Sequence, residues 1–210
     1  KVSDFGEWQD CQYMGTEFVK GQGLGDIIYG EKATPLRAAR IMKQVAGALG
    51  EAHAKQIVHL DLKPPNILVS QKRGQDLVKV IDFGIAEIYS ENRESRQDRV
   101  CGTCTYMAPE QWRRQPLDPR TDIYSFGVIF YEFLAGRPPF RSSSVSALEK
   151  AHCHQPPVPL KKLRPDVPVE IEKLVHRCLE KDPAKRVQSA GDLEAALGSY
   201  LRRTENAHAV

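Results

Sequence analysis

The sequence predicts an α+β fold in which a small amount of β-structure gives way to a mainly helical body. Three observations carry this. β-formers cluster at residues 12–20, and short apolar runs at 66–69 and 77–81 flank a polar turn at Gln71–Gln75. Beyond Asp122, apolar residues recur almost everywhere with helical spacing.

Taken in order, Gly21 and Gly23 break the first strand, and Gly21–Gly25 is expected to be a flexible connector. Thr34 caps a helix over 35–55 that Pro35 opens, and Ile41, Val45, Leu49 and Ala52 form its apolar stripe. The charged, aperiodic stretch Glu87–Arg99 reads as an exposed loop. Asp122–Ala135 is the most apolar helix, closed by Gly136 and stopped by Pro138 and Pro139. A helix apolar nearly all round belongs in the middle of a domain. Val145–His154, Val169–Leu179 and Ala190–Leu201 follow as helices, with a proline-rich link over Pro156–Pro168.

At 210 residues and 23.6 kDa the chain buries a sizeable core as one domain. A net charge of +3 is too small to argue for nucleic acid or an anionic membrane. No run approaches the ~18 apolar residues of a membrane span, so no membrane contact is expected from this segment. Five cysteines, an odd number, suit reduced thiols and a cytoplasmic location. The start at Lys1 has no signal-peptide shape and no initiator methionine, and the chain is expected to begin inside a longer protein.

Three short motifs carry the chemistry: His59-Leu60-Asp61-Leu62-Lys63-Pro64-Pro65-Asn66, then Asp82-Phe83-Gly84, then Ala108-Pro109-Glu110. Phosphoryl transfer needs positioning and charge neutralisation more than covalent chemistry. Asp61 suits the base that accepts a hydroxyl proton, and Lys63 puts a cation beside it. The amide oxygen of Asn66 and the carboxylate of Asp82 suit magnesium, which prefers oxygen ligands. His59 reads as a structural residue stacking with Phe83. By these motifs, in this order, the chain resembles the protein kinase family and, more closely, its bacterial serine/threonine branch.

That resemblance implies a protein kinase-like fold: residues 1–19 as a remnant of the small lobe, 20–203 as the large lobe and 204–210 as a tail. It implies ATP and Mg2+, and Ser or Thr hydroxyls of proteins as acceptors. Thr103, in Gly102-Thr103-Cys104-Thr105-Tyr106-Met107, corresponds to a threonine that contacts the base and its lysine. Glu110 and Arg186 correspond to a buried ion pair, and Asp122 to a carboxylate tethering the catalytic-loop backbone. An acid at a helix start also caps, and both roles can hold together. Around adenine, Thr16 matches the residue guarding the back of the pocket, Glu17 and Val19 the hinge, and Leu68 the apolar floor.

The chain also departs from the family. It has no Gly-x-Gly-x-x-Gly loop and no strand lysine with a glutamate partner, so it is expected to start at about the fourth strand of the small lobe. Exposed apolar surface and poor activity of the segment alone are the expected consequences. A non-catalytic kinase-like binding module is therefore the alternative reading, and a small-molecule kinase of the aminoglycoside or choline type shares His-x-Asp-x-x-x-x-Asn. Ala108-Pro109-Glu110, Thr103 and Arg186 argue against the latter. Asp4-Phe5-Gly6 echoes Asp82-Phe83-Gly84 but follows no catalytic loop. Cys101 and Cys104, with His152, Cys153 and His154, have zinc-like spacing, yet the first pair falls in the segment assigned to substrate. Cys178 is expected to pack with Leu174 and Val175. Leu60 replaces the arginine that reads activation-loop phosphate in the family. Replacing Ser90 and Ser95 by alanine in the full-length enzyme is accordingly expected to leave its phosphotransfer rate unchanged; collapse of the rate would count against this.

Overall fold

The computed structural model describes residues 2–8, 11–30, 33–83 and 103–208. The expected loop Glu87–Arg99, with Ser90 and Ser95, lies outside the described residues, as do Gly84 and Cys101. Strands β1 (Val2–Trp8) and β2 (Cys11–Thr16) pair antiparallel, Trp8 opposite Cys11 and Val2 opposite Thr16. The expected strand over 12–20 thus ends at Thr16, and 17–21 form an irregular linker.

Gly21–Gly25 is not the flexible connector that its glycines suggested. Gln22–Gly23 is a short strand, β3, pairing with Val69 and Leu68, and helix α1 (Leu24–Gly30) begins immediately after it. A Cβ on Gly21 would lie 3.2 Å from the Val69 carbonyl oxygen and 3.3 Å from the Leu68 Cβ. The glycine serves close backbone approach, a second reason for its use besides conformational freedom.

Helix α2 (Pro35–His53) starts as expected, with Thr34 Oγ1 accepting from the Arg37 amide at 3.2 Å. Ile41, Val45 and Leu49 are fully buried, while Ala52 is half-buried. Strands β4 (Ile67–Lys72) and β5 (Gln75–Val80) form a hairpin. Its tight turn is Arg73-Gly74, with φ of 51° and 77°. Positive φ at both central residues matches the right-handed strand twist. Gln44 joins the hairpin to α2, its side chain donating to Asp76 O at 2.9 Å and accepting from Val78 N at 3.1 Å.

Short helix α3 (Pro109–Trp112) leads to the central helix α4, which spans Pro119–Ala135 rather than Asp122–Ala135. Asp118 is the cap, accepting from Arg120 N at 2.8 Å, and Pro119 takes the first helical position. Gly136, at φ 71°, closes the helix. Every residue from Thr121 to Leu134 is buried. Helices α5 (Val145–His154), α6 (Leu160–Leu163), α7 (Val169–Cys178) and α8 (Ala190–His208) surround it or α2. The proline-rich link contains α6 because Leu160 is drawn fully into the core. Helix α8 runs past the expected end at Leu201 to His208, so 204–208 continue it.

A second, smaller cluster forms around Phe140, Leu148 and Ala151, against Trp112 and Cys104. The buried His152 ring sits among the rings of Phe140 (5.0 Å), Tyr124 (5.8 Å) and Trp112 (6.4 Å). Its Nδ1 is 3.0 Å from the Tyr124 hydroxyl. Burial, reinforced by the Lys181 cation, pushes its pKa down to about 3 against an opposing bond to the Thr105 backbone. The folded ring stays neutral where an unfolded one binds a proton, so stability falls as pH drops from about 6.5 towards 3. The loss amounts to about 2 kcal/mol by pH ~5. An NMR titration should show no protonation of His152 above about pH 4; titration near pH ~6 would contradict its neutral burial.

Cys178 is fully buried, facing Gly127 across the α4–α7 contact, where an added Cβ would sit 2.6 Å from the Cys178 Cβ. Helix propensity favours Gly127→Ala by up to about 1 kcal/mol, but overpacking costs about 1–3 kcal/mol. The substitution is expected to be net destabilising, read as a lower urea midpoint at unchanged slope.

Candidate active site

Asp122 organises the loop that carries Asp61. It is fully buried in the first turn of α4. The His59 amide donates to Oδ2 at 2.8 Å and the Leu60 amide to Oδ1 at 2.9 Å. The His53 ring nitrogen Nε2 also lies 2.8 Å from Oδ2. Because Asp118 is the cap, Asp122 is left to hold the loop. Leu60 is thereby kept at φ 62°, a left-handed conformation that costs a leucine about 1–3 kcal/mol. Its carbonyl accepts from Gln111 Nε2 at 2.9 Å. The buried His59 ring reaches Ile81 O at 2.9 Å and stacks obliquely on Phe83, centroids 4.6 Å apart, as its structural reading expects.

Past this anchored turn, Asp61 Oδ2 accepts from Lys63 Nζ at 2.7 Å, both side chains partly open to solvent. Residues Pro64–Asn66 form a 3₁₀ turn that brings Asn66 back, its Nδ2 donating to the Asp61 carbonyl at 2.9 Å. Asn66 O then accepts from Ile81 N at 2.9 Å. Ile67 pairs with Val80, so Asn66 before β4 and Asp82 after β5 share one end of the hairpin. Asp82 is exposed there at φ 62°, a region that aspartate tolerates better than most residues.

Of the residues expected around adenine, Leu68 is half-buried on β4, opposite Lys79 and Gly23. Glu17 is exposed, with Lys79 Nζ 3.9 Å from its Oε2, and Val19 is half-buried in the linker. Thr16 ends β2 and Thr103 opens a 3₁₀ turn over Thr103–Tyr106, but both side chains lie outside the described residues.

The protein kinase domain family matches residues 1–196. This chain belongs to that family. Serine/threonine-protein kinase pkn3 of Myxococcus xanthus is 40% identical, over 100% of this chain and 42% of its own length. PknB of Mycolicibacterium smegmatis is 37% identical over 88% of this chain and 30% of its own length. These relatives place the chain in the bacterial serine/threonine branch of the family, and it spans less than half the length of either. The fold is that of kinase domains: the PknI kinase domain of Mycobacterium tuberculosis superimposes with a TM-score of 0.73 at 25% identity, over 95% of this chain and 70% of that one.

The Ala108-Pro109-Glu110 segment is braced from below. Glu110 and Arg186 form a buried bidentate pair at 2.6 and 2.7 Å. Arg186 also donates to the carbonyls of Arg120 and Glu180, both at 2.8 Å. Sequence reasoning missed Gln111, whose amide spans from the Ala108 amide to the Leu60 carbonyl. A glutamine at the third position of a helix opened by Pro109 is a capping signal, but nothing local marks its bond to Leu60. It also missed Glu132, although a single acid inside an otherwise apolar run is a visible signal.

Removing one member of a buried ion pair strands the other charge at about 3–5 kcal/mol, so Arg186→Met alone should lower stability by that order. Adding Glu110→Gln to it is expected to recover part of the loss in urea denaturation. A single variant as stable as wild type would remove the pair from the account of the fold.

Proposed function

We propose that this segment carries the phosphotransfer centre of a protein serine/threonine kinase, moving the ATP γ-phosphoryl group to Ser or Thr hydroxyls of proteins. The observation supporting it most directly is one hydrogen-bonded loop holding Asp61, Lys63 and Asn66 beside the strand end that bears Asp82. Asp61, partly open to solvent, is the acceptor for the proton of an incoming hydroxyl. Lys63 Nζ, 2.7 Å from Asp61 Oδ2, sets a positive charge next to that acceptor, where charge develops on the transferring group. Thr103 is proposed to meet the same pair from the substrate side, and Thr16, Glu17, Val19 and Leu68 to receive adenine.

The donor set fits magnesium. Asn66 Nδ2 is committed to the Asp61 carbonyl, which leaves its amide oxygen for a hard cation. The exposed Asp82 carboxylate is the second ligand. Bound there, Mg2+ would supply positive charge to the phosphate oxygens. No helix among the described residues is long and apolar enough to cross a membrane.

In the full-length protein, assayed with Mg-ATP and a generic Ser/Thr substrate, Asp61→Asn is expected to lower kcat by about 10²–10⁴-fold. Asp82→Asn should raise the Mg2+ concentration needed for half-maximal rate. Wild-type protein that binds partners without transferring phosphate would favour the binding-module reading instead, and a fully active Asp61→Asn enzyme would remove Asp61 from the role of proton acceptor.

A further inference from the structure

Helix α4 carries a polar line inside its buried surface. Asp122, Ser125 and Glu132 are spaced by three and seven residues, which places them on one face of a helix. Asp122 anchors the catalytic loop, and Ser125 Oγ donates to the Tyr106 carbonyl at 2.8 Å. Glu132 is almost completely buried, yet it accepts from two phenols. Tyr106 donates to Oε2 at 2.8 Å, and Tyr29 donates to Oε1. Tyr106 ends the 3₁₀ turn opened by Thr103, whereas Tyr29 lies at the end of α1, the helix that follows the linker bearing Glu17 and Val19.

Tyr29 is 65% exposed, so packing contributes little to holding it, and its hydroxyl bond to a buried carboxylate ties it down. Burial pushes the Glu132 pKa up, opposed by the two phenolic bonds and by the Arg141 cation. Burial and the Glu132 carboxylate likewise push the Tyr29 phenol up to about 12. With Tyr29 in place, both oxygens of Glu132 are satisfied facing the turn. Without it, Oε1 loses its donor, and the exposed Arg141 becomes the stronger claim on the carboxylate. Tyr106 would then lose a fixed acceptor.

We propose that Tyr29 is a positioning residue for protein substrate: through Glu132 it fixes the turn bearing Thr103 and Tyr106 against the helix leaving the nucleotide side. The proposal rests on the phosphotransfer reading of the site. It differs from a role in chemistry, because the hydrogen bond of Tyr29 goes to Glu132 and not to Asp61, Lys63, Asn66 or Asp82.

The test uses the full-length kinase and Tyr29→Phe, which keeps the ring and removes one hydroxyl. KM for the protein substrate should rise about 10-fold, the loss expected for one hydrogen bond to a charged group. At the same time kcat and KM for ATP should stay within about twofold. Tyr29→Phe combined with Tyr106→Phe should be no worse than Tyr106→Phe alone, since both act through one carboxylate. An unchanged KM for the protein substrate, or an equal rise in KM for ATP, overturns the proposal. A second measurement stands apart from activity. Amide exchange at Met107, whose N–H bonds the Cys104 carbonyl at 3.3 Å, should accelerate several-fold in Tyr29→Phe while the Val45 amide of α2 is unaffected. An inactive wild-type enzyme would count against phosphotransfer only. Unaltered exchange at Met107 would overturn the bridge whatever the enzyme does.

Discussion

Most of the site hangs from the buried carboxylate of Asp122. A charge removed from water is costly unless its lone pairs are filled, and here two backbone amides and the His53 ring nitrogen fill them. The geometry of those donors dictates the left-handed turn at Leu60. That turn in turn directs Asp61 out of the core while His59 points into it. The interaction also explains why α4 must be buried on all sides: a loose helix would not hold its first-turn acid against a fixed loop. The strain at Leu60 is met from both sides, by Asp122 at its amide and by Gln111 at its carbonyl.

The charged groups divide by burial. Glu110 with Arg186 is dry and bidentate, and it bonds further to carbonyls of two other segments. Pairs such as Arg40 with Glu205 or Lys43 with Glu194 are half-exposed and contribute little. The dry pair supports the Ala108-Pro109-Glu110 segment, Asp122 supports the loop carrying Asp61, and Glu132 links the Thr103–Tyr106 turn to α1. Three acids, two of them on one face of α4, therefore orient the two halves of the site around a single buried helix.

Much of this was legible beforehand, and the failures are instructive. Thr34-Pro35, the stripe of Ile41, Val45 and Leu49, and Gly136 all speak through neighbours within a few residues, and their elements formed as read. The start of α4 was misplaced because its apolar run begins at Thr121 to Ile123, although Asp118-Pro119 spelled the cap and first position. Gly21–Gly25 was misread because glycine signals either freedom or contact, and only the neighbouring strand decides between them. The adenine-side residues rest on resemblance alone; Glu17 is exposed and Leu68 half-buried, and neither stands out by its type.

By itself the sequence determined whatever depends on nearest neighbours: helix periods, caps, a turn within Gln71–Gln75, and the residue types at Asp61, Lys63, Asn66 and Asp82 on which the proposed chemistry rests. Tertiary structure alone decided which distant groups meet. Gln111 finds Leu60 across 51 residues, and Tyr29 finds Glu132 across 103. Contacts over such separations leave no periodic trace in the chain, because they are selected by how helices pack and not by the spacing within any one of them.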